Sequence, residues 1–247
     1  MRRKFDLKNL PELERQTSML YWFPKIVGLG IPIPRTVIVE TPDFDYLEYV
    51  DKPDEIPETL IQVLKSLARR VGYPIFLRTD YLSGKHRGAP FVKKEEDLKK
   101  HVYMLIEESA TAGFFGVPIK AFIIREHLEL DWKFKAFNNL PIARERRYFI
   151  KDGKVVCHHP YWPEDAITWS KTPLPENWRQ LLSELNAETE DEIRLLTSYA
   201  EKVGNALKGY WSVDFAHAKN GKWYLIDMAR GELSWHPKCS KAGIENG

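Results

Sequence analysis

Residues 210–228, YWSVDFAHAKNGKWYLIDM, carry the decisive pattern of this chain. Two apolar runs flank Asn220-Gly221, a dipeptide that favours a tight hairpin turn. Each run holds one acid in an apolar setting, Asp214 in the first and Asp227 in the second. A buried carboxylate is expensive unless it is paired, hydrogen-bonded or bound to a cation. The turn sets the two strands side by side, so two hard oxygen donors stand on neighbouring strands, a donor type that suits Mg²⁺. An arginine partner for each acid, or an outward-facing position, satisfies the same pattern.

Upstream, residues 143–149 and 155–159 are strand-like and flank Lys151-Asp152-Gly153-Lys154, a second hairpin signal. Strand alternation places Glu145 and Arg147 on one face and Arg144 and Arg146 on the other. An arginine in a cleft makes a bidentate phosphate ligand. Arg144 and Arg146 are expected on a charged outer face. Residues 174–208 read as helical, with Thr189 and Glu192 as a capping box and Ile193, Leu196, Ala200, Val203 and Leu207 along one side.

The first half alternates differently. Residues 12–27 read as helix, 36–40 as strand, 42–57 as loop and 57–72 as helix. A strand at 74–78 runs into a polar loop at 79–88 that holds Ser83, Gly84, Lys85, His86, Arg87 and Gly88. The Walker spacing is absent there. Glycines nevertheless let backbone N–H groups approach an anion, and Lys85 supplies a point charge; a solvated loop is the plain alternative. A charged helix over 94–108 and a strand over 120–126 follow. Strand–helix–strand units followed by antiparallel hairpins predict an α+β protein of two lobes, with the seam near 126–131.

Composition removes several classes of function. Lys and Arg total 37 against 35 Asp and Glu, a net charge of +2, which argues against a general nucleic-acid coat. No apolar run approaches the roughly 20 residues of a membrane span, and Met1-Arg2-Arg3-Lys4-Phe5-Asp6 lacks the apolar core of a signal peptide. The two cysteines, Cys157 and Cys239, exclude a disulfide framework and a cysteine-rich zinc site, and fit a reducing cytoplasm. The adjacent His158 and His159 face opposite ways on a strand and are poorly placed to share a metal. No G-x-S-x-G, H-E-x-x-H or G-x-G-x-x-G occurs, so hydrolase, zincin and Rossmann readings have no support.

In sequence order these features resemble the ATP-grasp superfamily, and more narrowly its divergent clade named for one arginine and two lysines. They are also similar to the cell-division-cycle assembly proteins that act on translation initiation factor two. The resemblance rests on residues 74–85, 123–131, 145–156 and 213–231, with Gly30-Ile31-Pro32-Ile33-Pro34-Arg35-Thr36 as a lead-in. It implies two α/β lobes with antiparallel sheets and ATP bound between them: a lead-in over 1–56 packing on the core, an N-terminal lobe over 57–127 and a C-terminal lobe over 128–247 bearing the metal-binding hairpin. It also implies roles. Arg78 stands where many members carry a lysine for the α-phosphate, and Lys85 matches the lysine of the flexible glycine loop. Glu126, His127 and Leu128 match the hinge that meets adenine, and Asp131 or Glu129 would take the ribose hydroxyls. Arg147 matches the arginine facing the γ-phosphate, and Asp214 and Asp227 match the Mg²⁺ carboxylates. The Asn usually found two residues after the second acid is Ala229 here, so water or a nearby acid must fill the gap, Glu232 being the local candidate. Arg230 is assigned to the acceptor carboxylate.

The activity implied is that of a cytoplasmic ATP- and Mg²⁺-dependent carboxylate–amine ligase working through an acyl phosphate, with Lys85, Arg147 and Arg230 as its catalytic residues. The acceptor class is open: small molecule, peptide or protein. An ATP-binding assembly or chaperone-like factor for a protein partner is the second expectation. An RNA-acting ATP-dependent enzyme is the third, motivated by residues 144–147 and abundant aromatics.

Overall fold

A computed structural model describes residues 10–85, 88, 90–112 and 116–236. His86, Arg87, Cys239 and residues 1–6, all used in the sequence reading, lie outside them. Two four-stranded antiparallel sheets face each other across a cleft, each backed by helices.

The first sheet is centred on β4 (Ala121–Glu126). It is flanked by β1 (Thr36–Glu40) and β2 (Ile75–Thr79), and β3 (Phe91–Val92) extends β2. The AFIIRE sequence of β4 lacks polar alternation because both faces are covered. Phe122 and Ile124 pack toward α3 (Glu58–Val71) and α4 (Leu98–Thr111), while Ala121 and Ile123 join the core of the second lobe. Residues 10–56 thus reach both lobes, with β1 in the first sheet and α2 (Met19–Ile26) in the second core.

The second sheet runs in the order β10 (Trp223–Arg230), β9 (Tyr210–His217), β7 (Glu145–Lys151), β8 (Lys154–Pro160). Asp152 and Gly153 take φ of 49° and 89°, the left-handed pair that a type I′ turn needs between β7 and β8. One face packs Tyr148, Trp211 and Phe215 against α2 and α7 (Glu190–Ala206). The other face, carrying Glu145, Arg147 and Asp214, turns to the cleft side. Cys157 lies on β8, and Cys239 lies outside the described residues.

Elsewhere the sequence expectation changes in detail. The helix read over 12–27 is broken at Ser18 into α1 (Leu10–Thr17) and α2. The Ser18 hydroxyl accepts from the Leu20 N–H and donates to the buried Asp80 carboxylate at 2.6 Å. The other Asp80 oxygen accepts the Lys120 and Ala121 N–H groups. Asp80 therefore ties α2 and β4 to the loop that follows β2. The helical region over 174–208 divides into α6 (Trp178–Asn186) and α7, and the loop over 42–57 holds short 3-10 turns at Tyr46–Tyr49 and Pro53–Glu55.

One hairpin was not foreseen. β5 (Trp132–Ala136) and β6 (Leu140–Ala143) turn through Phe137, Asn138 and Asn139, all at positive φ. Asn tolerates that region, so the Asn pair was the available signal. With α5 (Glu164–Thr168) and α6 this hairpin builds a third small core around Phe134, Trp162 and Trp178.

The largest correction concerns Arg146, expected on a charged outer face. It is 0% exposed. Its Nε meets Glu192 at 2.7 Å, and its remaining donors reach the carbonyls of Glu145, Leu185 and Ala187. Sheet alternation is kept, but α7 covers that face, and a buried guanidinium persists where each of its nitrogens is hydrogen-bonded and a carboxylate pairs it.

Candidate nucleotide site

A cleft of about 320 Å³ lies between the sheets. Its apolar part is walled by Pro34, Phe76, Phe91, Leu128, Leu140 and Ile226, and its charged part by Arg78, Lys85, Arg125, Glu145, Asp214 and Asp227. A lining that combines apolar side chains with several charges suits a ligand that has both a ring and an anionic group.

The two acids of the hairpin meet in register, Asp227 directly opposite Asp214, so their side chains share a face. A bulge between Leu225 and Asp227 leaves Ile226 out of the ladder. Its carbonyl accepts from Arg125 Nη1 at 2.5 Å, across the cleft floor. Each acid also has an arginine. Arg147 clamps Asp214 with Nε and Nη2 at 2.7 and 2.8 Å, and Arg78 Nη1 reaches Asp227 at 2.9 Å. Both acids line the cleft, and each has the arginine partner that the sequence reading allowed. Burial opposes the Arg147 charge, but Asp214 outweighs it and holds the guanidinium above its ordinary range.

Arg125, given no role in the sequence reading, is the least balanced cation of the site. It is buried, its Nη2 has no partner, and burial followed by the neighbouring Arg78 charge pulls its pKa down to about 9. Its signal was the one that marked Asp214 and Asp227, a lone charge inside an apolar strand. Lys85 reaches down from the glycine loop. Its Nζ sits 3.8 Å from Glu145, 4.2 Å from the Tyr161 ring centroid and 5.2 Å from that of Trp162. Burial opposes its charge, but Tyr161, Glu145 and Asp214 outweigh burial and hold the ammonium above the lysine range.

At the hinge, Glu126 lines the cleft and is held by Arg35, accepting from its N–H at 2.9 Å and its Nε at 2.7 Å. His127 and Leu128 line the cleft, with the His127 ring edge-on to Phe91 at 5.9 Å. Burial lowers the His127 pKa and favours a neutral imidazole. Asp131 is engaged with His217 at 3.2 Å and Arg144 at 3.9 Å, whereas Glu129 lines the cleft beside Lys219. Arg230 and Glu232 are not brought to the cleft. They pair at 2.8 Å, and Arg230 also contacts Gln16 and lies over the Trp211 ring. Opposite Ala229 stands Ser212, whose hydroxyl meets that of Ser234 at 2.6 Å. Among the described residues no cluster of three or more His, Cys, Asp or Glu is placed to hold a metal unaided.

Two helix-backed antiparallel sheets closing on a cleft of this composition define an ATP-grasp fold. The chain belongs to the ATP-grasp domain family of the R2K clade, family 3, whose model matches residues 79–244. Among solved structures it is similar to Cdc123 from Schizosaccharomyces pombe, at 12% identity and a TM-score of 0.58, covering 89% of this chain and 85% of that one. It is also similar to a biotin carboxylase–ATP-analogue complex from Campylobacter jejuni, at 15% identity and a TM-score of 0.53, covering 87% of this chain and 40% of that one. A third likeness is to N5-carboxyaminoimidazole synthase from Aspergillus clavatus, at 12% identity and a TM-score of 0.51 over 88% and 45% of the two chains. At these identities the likeness concerns the fold. No curated protein matches the chain by sequence.

Proposed function

We propose that this protein binds Mg-ATP in the interlobe cleft and uses it as a carboxylate–amine type ligase. The supporting observation is the convergence of Arg78, Lys85, Arg125, Asp214 and Asp227 on one cleft that apolar side chains also line. Adenine would lie between the apolar walls against the backbone of Glu126 to Leu128, with the ribose near Glu129. The triphosphate would meet Arg78, Arg125 and Lys85, with Arg147 at its far end.

The donor set fits Mg²⁺. Two adjacent carboxylates with phosphate oxygens and waters complete its usual shell, since Mg²⁺ takes one or two protein carboxylates at nucleotide sites. Asp214 and Asp227 would hold the ion, which when bound offsets charge on the phosphate oxygens. Phosphoryl transfer needs mainly positioning and charge neutralisation. The chain's own part is to align the γ-phosphate by Lys85 and Arg147 while Arg78 and Arg125 hold the leaving diphosphate. An acceptor carboxylate oxygen then bonds to the γ-phosphorus as the bond to ADP breaks. An amine next attacks the acyl carbon and releases phosphate. With Arg230 folded against Glu232, Arg147 is the better-placed contact for the acceptor.

A second reading is an ATP-binding assembly factor for a protein partner. It is favoured by Ala229, which leaves two carboxylates rather than three donors. The RNA reading has less support, because Arg144 and Arg146 are engaged by acids within the fold. Calorimetric titration with ATP, with and without Mg²⁺, tests nucleotide binding. ADP release dependent on an added acceptor then separates ligase from assembly factor. Mg-ATP binding without acceptor-stimulated ADP release favours the assembly factor, and no Mg-ATP binding removes both readings.

A further inference from the structure

Glu145 is the most enclosed acid of the cleft and has no part in the assignment above. It is 4% exposed, and it lies on β7 two residues before Arg147, on the same face. One oxygen, Oε1, accepts the Trp162 indole N–H at 3.0 Å. The other, Oε2, has no hydrogen bond, and the charge facing it is the Lys85 ammonium at 3.8 Å. A carboxylate buried this far needs a cation nearby.

Lys85 has the converse need. Its side chain is only 18% exposed although it stands in a polar loop. The rings of Tyr161 and Trp162 cover it, and Glu145 is its only ion-pair partner among the described residues. Lysine is a strongly hydrated, flexible cation, and left without a counter-charge it returns to water. The Tyr161 and Trp162 rings attract it too weakly to replace a carboxylate.

We propose that Glu145 is a positioning residue: its carboxylate draws the Lys85 ammonium down onto the second sheet and holds it beside Asp214, where the terminal phosphates of a nucleotide are met. This rests on the nucleotide reading above. The ammonium has three N–H donors, so one can face Glu145 while another meets a phosphate oxygen. Trp162 fixes the Glu145 rotamer through Oε1 and leaves Oε2 for the lysine. The pair thus prepays the ordering of a side chain with four rotatable bonds before nucleotide arrives.

The test compares wild type, Glu145→Gln, Lys85→Ala and the double variant. Gln keeps an oxygen for the Trp162 N–H and removes only the charge. Titration with Mg-ATP should show each single variant binding at least about tenfold more weakly, because the ammonium is displaced or absent. The double variant should be no weaker than Lys85→Ala, and AMP affinity should be equal in all four. Independent, multiplying losses, or a Glu145→Gln affinity within twofold of wild type, would overturn the proposal. A nucleotide-free measurement separates this from failure of the ATP reading. The rate of Lys85 acylation by a water-soluble amine reagent, read by peptide mass spectrometry, should rise severalfold in Glu145→Gln while the melting temperature of the protein changes little. An unchanged rate contradicts the positioning role whether or not ATP binds. A raised rate in a protein that does not bind Mg-ATP retains the Lys85–Glu145 contact and discards its nucleotide role.

Discussion

At the scale of single residues, the contrast between Arg146 and Arg147 shows how one strand serves two ends. Arg147 faces the cleft and clamps Asp214; Arg146 faces α7 and neutralises Glu192. Removing one partner of a buried pair leaves an uncompensated charge, at a cost of about 3–5 kcal/mol. Arg146→Ala should lose roughly that much in urea denaturation. Arg147→Ala should lose less stability and more Mg-ATP affinity, because its partner Asp214 lines the cleft. Asp227→Asn should abolish the tightening of ATP binding by Mg²⁺, whereas Glu232→Gln, on the Arg230 side, should leave it intact. Equal effects of Asp227→Asn and Glu232→Gln would put the metal elsewhere. The cleft acids were legible in the sequence because a lone charge in an apolar strand demands an explanation. The same pattern in AFIIRE marks Arg125, which stands next to the Glu126 hinge. The fate of Arg230 and Glu232 was not legible, since it depends on Gln16, more than two hundred residues away in sequence.

At the scale of elements, local signals fixed ends better than partners. The predicted N-cap at Thr189 is present, its hydroxyl accepting the Glu192 N–H at 3.2 Å. Only half of the capping box forms, because the Glu192 side chain turns to Arg146 instead of back to the Thr189 backbone. Thr189→Ala should therefore cost about 1 kcal/mol, the usual value of one cap, read as a shift in the urea midpoint at unchanged slope. No measurable shift would mean that packing of α7 against the sheet alone sets that end. Both hairpins with Asn-Gly or Asp-Gly turns were readable, although they close differently: Asp152 and Gly153 both take positive φ, whereas in the other turn Gly221 does, at 78°, and Asn220 does not. The β5–β6 hairpin was missed because its two strands are short and its turn opens on Phe137, a residue rarely at positive φ. The bulge at Ile226 left no mark in the sequence; it is visible only once Asp214 and Asp227 are in register.

At the scale of the whole molecule, the two lobes are tied by groups that a nucleotide would use. Arg78 and Arg125 of the first sheet reach Asp227 and the Ile226 carbonyl of the second. Ligand that binds only the folded state stabilises by about 2.7 kcal/mol at a hundredfold excess over Kd. Saturating Mg-ATP should accordingly raise the melting temperature by several degrees, and ATP with a chelator should raise it less. The most direct test of the account is a crystal structure with a non-hydrolysable ATP analogue and Mg²⁺. The predicted result places the adenine against the backbone of His127 and Leu128, the phosphates between Arg78, Arg125 and Lys85, and an ion shared by Asp214 and Asp227. Nucleotide bound outside the cleft, or in the cleft with neither carboxylate touching an ion, would contradict it.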